Sequence, residues 1–305
     1  MRKTTYRRAV REAIREALLL DERVFLMGED VGSSSGLLGE FGPDRIRDTP
    51  PSASSFVAAG IGSAVGGMRP VVEISAADAG LPALDQILTN AATLRQMSGG
   101  QLTVPLVIRM VSGRNWLAHD IGSWYAHIPG LRVVSPATLE DARGMLWTAL
   151  ADPDPVLLVE HASLQDVPGE LAEDAGSVDI ERAIVRRGGR DVTLVGYGGT
   201  LPVTLAAADE LADRGVRAEV VDLRCLLPLD EHTILESVRR TRRLVVADEG
   251  RRGGGLSAEI AAGVAEKAFY HLEAPIERVY AQSDDTRTRL PTPDEVVAAA
   301  LRALG

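Results

Sequence analysis

Several things are scarce in this 305-residue chain, and each scarcity excludes something. Cys225 is the one cysteine, so no internal disulfide can form. No apolar run approaches the ~18 residues that a membrane-spanning helix needs. Basic charge is not in excess: 33 Lys and Arg face 43 Asp and Glu, for a net charge of −10. The arginines are scattered or interleaved with acids, which argues against a nucleic-acid-binding face. The N-terminus, MRKTTYRRAVREAIREALLL, starts basic but lacks a clean apolar segment. It reads as an amphipathic helix and not as a secretion signal. With a lone cysteine, that makes a cytoplasmic location the expectation. Aromatic residues are only 4%, so packing must rely on small and aliphatic side chains, with 30 glycines allowing close approach.

What is present is an alternation of short apolar runs and helical patterns. RVFLMGEDVG at 23–32 reads as a buried strand ending at a glycine, followed by a Ser/Gly loop at 33–43. FVAAGIGSAVGGM at 56–68 reads as a tightly packed helix. Its glycines lie within the helical pattern and not at a strand-to-helix turn, so no dinucleotide fingerprint is assigned. RPVVEIS, VPLVIRM, LRVVSPA and PVLLVEH read as further strands. A single helix is expected over 81–97, with Pro82 in its first turn. Residues 111–130 form a loop rich in aromatic and histidine residues. Alternation resumes from 191 and ends in TPDE at 292–295, a capping box with Pro293 at the first helical position. The expected fold is α/β: two domains, each a mostly parallel sheet covered by helices. Their expected extents are residues 1–165 and 191–305, joined by a polar linker at 166–190.

Candidate chemistry gathers at strand ends. Glu29 and Asp30 follow the first strand, at the end where open α/β sheets bind ligands. Glu73 lies inside an apolar strand and therefore needs a partner. Asp78 follows at that strand's end. In the 111–130 loop, His119 beside Asp120 is the candidate acid–base pair, and His127 is read as packing. No histidine spacing suggests a zinc cluster. RRGGGLSAE at 251–259 places three glycines before a helix, where backbone N–H groups can meet an anion, but the sequence is not a P-loop. TPPSASSFVAAG at 49–60 is a corner from loop to helix that carries no ionisable side chain.

These segments together resemble a known family. FLMGEDVG, FGPDRIRDTP, RPVVEIS, LPALDQI, QMSGGQLTVPLVIR, WYAHIPGLRVVSPAT and DPDPVLLVEH are similar to the beta subunits of 2-oxo acid dehydrogenases (pyruvate, branched-chain and acetoin). VDLRCLLPLDEHTILESV, RRLVVADEG and GGLSAEIAA continue the match. The resemblance implies a transketolase-like pyrimidine-binding domain followed by a transketolase C-terminal-like domain. It implies an oxidoreductase subunit that helps decarboxylate a 2-oxo acid or acyl substrate and passes the acyl group to a lipoyl or acyl carrier protein. It also implies thiamine diphosphate, with magnesium held by an alpha-type subunit in an α2β2 heterotetramer; the alpha-type GDG…NN motif does not occur in this chain. The pyrimidine-pocket positions carried over are Glu29, Ala53, Phe56, Ala76, Asp78 and Ala79. Three depart from the family pattern. Ala53 stands where the family has the glutamate that hydrogen-bonds the pyrimidine ring, and Ala76 and Ala79 stand where it has aromatic rings. An alanine side chain can neither donate nor accept a proton. Two further readings therefore stand beside the first: altered, thiamine-independent acyl chemistry on the same scaffold, and a non-catalytic partner subunit.

Overall fold

The computed structural model describes residues 1–113, 121–172, 175–283 and 288–305. The chain opens with strand β1 (Arg2–Thr5) and helix α1 (Tyr6–Leu20). Tyr6, Ala9, Val10, Ala13, Ile14, Ala17 and Leu18 recur at helical spacing and are all buried, against helix Leu139–Ala151 among others. Strands β2 (Val24–Gly28), β3 (Ile46–Asp48), β4 (Arg69–Ile74), β5 (Val107–Ser112), β6 (Arg132–Val134) and β7 (Val156–His161) follow. They pair in parallel, with β5 between β4 and β7.

The two faces of this sheet are filled by alternate residues. Val24, Leu26, Val71 and Val107 join the core under α1, while Phe25, Met27, Val72 and Ile108 join the core under helix Ala53–Val65. Each large side chain so buried contributes roughly 1.5–3 kcal/mol. Glu73, Arg109 and Glu160 have the parity of the α1 face, at the carboxyl ends of their strands.

After β8 (Pro168–Leu171), the second sheet is built from β9 (Ile184–Arg187), β10 (Val192–Gly196), β11 (Ala218–Asp222), β13 (Leu244–Asp248) and β14 (Glu277–Tyr280), ordered β14-β13-β10-β11-β9. All its pairings are parallel except that of β9 with β11. Strand β12 (Cys225–Leu227) leaves this half and joins the first sheet antiparallel to β6, giving the order β12-β6-β7-β5-β4-β2-β3. The stretch 166–190 therefore carries two strands, β8 paired with β1 and β9 paired with β11.

Three local expectations need correction, the first being the 111–130 loop, into which β5 extends as far as Ser112 and which holds a short helix at Ile121–Tyr125. The single helix over 81–97 is instead a 3-10 run at Ala77–Ala83, an α-turn at Leu84–Gln86, a wide π-turn at Ile87–Ala91 and a short α-helix at Leu94–Met97. Pro82 lies inside the 3-10 run, where it has no N–H to donate and disfavours a regular α-ladder. The 33–43 loop holds two short helical turns, Val31–Ser35 and Leu38–Phe41.

A charge cluster ties the halves together. Arg186 on β9 bonds Asp222 at 2.9–3.0 Å and also meets Asp141 of helix Leu139–Ala151. Arg224, 3% exposed, meets the same Asp141 at 2.9 Å. Such buried pairs are strongly destabilising to break, because the partner left behind is desolvated.

Candidate active-site edge and its seam

Glu29, Ala53 and Ala76–Ala79 all come from the carboxyl edge of the first sheet. Gly28 ends β2 with φ 155°, and a side chain there would meet the Glu73 carbonyl oxygen at 2.2 Å, so only glycine lets β2 and β4 approach this closely. Glu29 is half-buried and Asp30 is exposed in a left-handed conformation. The Asp48 carboxylate accepts from Gly32 N–H at 2.7 Å and holds the following turn.

The corner 49–52 then delivers helix Ala53–Val65. Thr49 N–H donates to the Gly28 carbonyl at 3.0 Å, returning the chain to β2. The helix begins without a side-chain cap and without an acidic residue in its first turn. Ala53 and Phe56 are each 5% exposed and sit in the apolar cluster with Phe25, Met27 and Ile74. Ala76, extended just before the 3-10 segment that follows β4, and Asp78 within that segment are half-buried, and Ala79 is exposed. The Thr49 hydroxyl is buried without a partner among the described residues. His119 and Asp120 lie outside the described residues. His127 is exposed.

The most highly organised group at this edge is one that motif reading passes over. Arg109 on β5 donates to both oxygens of Glu160 on β7, at 2.8 and 3.0 Å, and reaches Glu73 on β4 at 3.0 Å. Glu160 is fully buried and also accepts from Gln165 at 2.8 Å. Burial opposes the charge on Arg109, but Glu160 and Glu73 outweigh it and raise the guanidinium pKa further. Glu73, singled out for needing a partner, finds it here. The signals were a charge inside VPLVIRM and the acid closing PVLLVEH. Neither has a motif spacing, because their partnership runs across strands.

His161, next to Glu160, stands at the seam between the halves. Its Nδ1 accepts from Ser163 N–H at 3.2 Å and lies 2.7 Å from the Ser163 hydroxyl. Side chains built on Gly113 and Gly199 would strike its ring at 2.4 and 2.7 Å. Burial lowers its pKa to about 4, so the ring is neutral at pH 7. From the second sheet, Glu249 accepts from Gly199 N–H, and Asp248 accepts from Tyr197 OH at 2.7 Å, Gly250 N–H at 2.8 Å and Ser257 N–H at 2.8 Å. The N-terminus after RRGGG is thus met by the chain's own carboxylate, and the glycine loop has no need of an outside anion there.

Among the described residues there is no group of three or more His, Cys, Asp or Glu side chains placed to hold a metal ion. Nor, among them, is there a helix long and apolar enough to cross a membrane. The edge offers half-buried carboxylates at Glu29, Glu73 and Asp78, a tied-down cation at Arg109 and an apolar corner at Ala53.

Comparison with known proteins places this arrangement. Residues 2–166 match the transketolase pyrimidine binding domain, and residues 181–300 match the transketolase C-terminal domain. The chain is 39% identical over 326 residues to the pyruvate dehydrogenase E1 component subunit beta-2, mitochondrial, of Oryza sativa subsp. japonica, covering 98% of this chain and 86% of the relative. It is 35% identical over 316 residues to the 2-oxoisovalerate dehydrogenase subunit beta of Bacillus subtilis (strain 168), covering 97% of each. A solved structure described as a split gene transketolase, inactive beta4 tetramer, superposes with a TM-score of 0.81 at 23% identity, over 98% of this chain and 97% of that one, and speaks for the fold. Similarity of this extent, over both domains and nearly the whole chain, shows that the chain belongs to the family of 2-oxo acid dehydrogenase beta subunits built on the transketolase fold.

Proposed function

We propose that this chain is the beta-type half of a 2-oxo acid dehydrogenase-like heteromer. An alpha-type subunit would complete its cleft, and the acyl group would pass either to a lipoyl protein, whose disulfide takes up the two electrons released from a 2-oxo acid, or, from a substrate already at the acyl level, to a carrier-protein thiol. The observation that carries this reading is the near-full-length identity with named beta subunits of such enzymes. The carboxyl edge that bears Glu29, Ala53 and Asp78 is the part of this chain that would face the reaction.

Thiamine diphosphate is the coenzyme that the resemblance implies, and the residues present fit it poorly. The family's pyrimidine contact requires a carboxyl at position 53, and the methyl group there is packed among apolar side chains. Ala76 and Ala79 provide no ring to stack on a heteroaromatic group. No proton transfer is therefore assigned to this corner. The buried Ala53 favours the second reading, in which the same scaffold runs acyl chemistry with half-buried Glu29 or Asp78 handling protons.

Isothermal calorimetry of the chain co-purified with its alpha-type partner, titrated with thiamine diphosphate and Mg²⁺, separates the two. Tight, magnesium-dependent binding supports a thiamine subunit with a reshaped pocket. No binding by a complex that still assembles supports the altered chemistry. Failure to form any heteromer would overturn the beta-subunit assignment itself.

A further inference from the structure

The helix α1 carries its charge in the wrong place for its own stability. Arg7, Arg8, Arg11 and Arg15 line its exposed side, and its first turn has no acidic residue. Cations at a helix N-terminus oppose the macrodipole, and Arg7–Arg11 and Arg11–Arg15 are like-charge pairs at i,i+4. Residues 1–20 hold six Lys or Arg and two Glu; the rest of the chain holds 27 of the 33 cations and 41 of the 43 carboxylates. A basic end on an otherwise strongly acidic chain is a directed field.

Part of this charge is left available. Arg7 pairs with Asp166 and Arg15 with Glu40, but Arg8, Arg11 and Lys3 make no ion pair or hydrogen bond among the described residues. The stripe from Arg7 to Arg15 spans about 12 Å, two turns of helix. Its position is also informative. Arg7 N–H donates to the carbonyl of Gln165, whose side chain bonds Glu160, and Arg11 lies against Gly36 in the loop that follows Glu29. The N-terminal half of α1 thus borders the carboxyl edge described above.

We propose that this arginine stripe is the docking surface for an acidic, helical carrier domain, an acyl carrier protein whose flexible thiol-ended arm reaches the adjacent edge. The inference rests on the reading of that edge as the reaction site. With Arg7 and Arg15 already paired, Arg8 and Arg11, one helical turn apart, are the cations left to meet carboxylates one turn apart on an acidic helix laid alongside. A lipid surface fits less well, because the apolar face of α1 is buried in the core and cannot enter a bilayer. Nucleic acid fits less well, because the remaining surface carries a large excess of carboxylates that would repel phosphate.

The test is fluorescence-anisotropy titration of the full chain, co-expressed with its alpha-type partner, with a purified acidic acyl carrier protein bearing its prosthetic arm. Wild-type affinity is expected to fall as salt rises. The double variant Arg8→Glu/Arg11→Glu is expected to bind at least about tenfold more weakly, and Arg8→Lys/Arg11→Lys to bind within about twofold of wild type. Charge reversal relieves the repulsion within α1, so its Tm is expected to equal or exceed that of wild type, which excludes misfolding as the cause. Unchanged carrier binding by the reversed variant overturns the proposal. So does loss of heteromer assembly with carrier binding intact, or arginine-dependent binding of anionic vesicles or RNA without carrier binding. If docking depends on the arginines while no heteromer forms, the functional reading fails and the docking surface stands; a heteromer with no arginine-dependent docking is the reverse case.

Discussion

Replacing Arg109 by Met removes the one cation that holds two carboxylates at the edge of the first sheet. Three contacts disappear: 2.8 and 3.0 Å to Glu160, and 3.0 Å to Glu73. Glu73 is 24% exposed at its side chain and can turn to water; Glu160 is fully buried and keeps Gln165 as its neighbour. The dominant penalty is the stranded Glu160 charge, and breaking such a pair from one side costs about 3–5 kcal/mol. For a chain of this size that lowers Tm by roughly 6–15 °C, at a few degrees per kcal/mol. The measurement is urea unfolding at pH 7 of wild type, Arg109→Met and the double variant Arg109→Met/Glu160→Gln. Neutralising both sides removes the stranded charge, so the double variant is expected to recover more than half of the loss. A single variant that loses less than about 1 kcal/mol would place the network outside the buried regime. A double variant no better than the single would show that packing of the long arginine stem, and not charge, is what matters.

The other predictions concern separate places in the fold. Asp222 is fully buried, and burial raises its pKa to about 6 against the pull of Arg186. Because the folded value exceeds the unfolded one of about 3.9, its stabilising contribution is complete below about pH 4 and is lost as pH rises through about 6. The difference in urea midpoint between wild type and Asp222→Asn should therefore decline across that window, and a rise would refute the assignment. Cys225 is buried with its thiol pushed up to about 12, so it should resist a disulfide reagent at pH 8 until urea unfolds the chain. Gly199→Ala would press a methyl into the His161 ring and cost about 1–3 kcal/mol, whereas Gly62→Ala, with open space around it, should gain a few tenths to about 1 kcal/mol of helix stability; equal effects in thermal melts would contradict the packing.

The layer order was legible because it is written redundantly. Strands β2, β4, β5 and β7 repeat the same instruction, with alternate residues for two apolar faces, so an error at one position does not change the reading. The capping box at Thr292 and Glu295 is present on both sides, as its spacing predicts. Other features depend on partners distant in sequence. Nothing local in CLL announces that β12 leaves its own half to pair with β6. Nor does 81–97 announce its change of helical pitch, since one proline and a run of Ala and Leu suit an α-helix on propensity alone. Arg109 and Glu160 lie 51 residues apart and meet only because β5 and β7 are neighbours.

The corner at Ala53 shows why similarity of fold and similarity of chemistry separate at a single residue. Packing asks position 53 for a small side chain that starts a helix and joins the apolar cluster that also holds Phe25 and Met27, and alanine meets that demand as well as any residue. The chemistry that the resemblance implies asks the same position for a carboxyl, and a carboxyl among those neighbours is tolerable only if something else forms a hydrogen bond to it. Among the described residues the neighbouring Ser52 hydroxyl is engaged with that of Ser55 at 2.9 Å, and the Thr49 hydroxyl is buried without a partner. A bound heteroaromatic ring would itself have been the missing partner. Alanine at position 53 therefore fits the apolar core and brings no group that needs a ligand. The scaffold persists whether or not the coenzyme does, so coenzyme binding, and not fold stability, is the property that substitution at this corner should change.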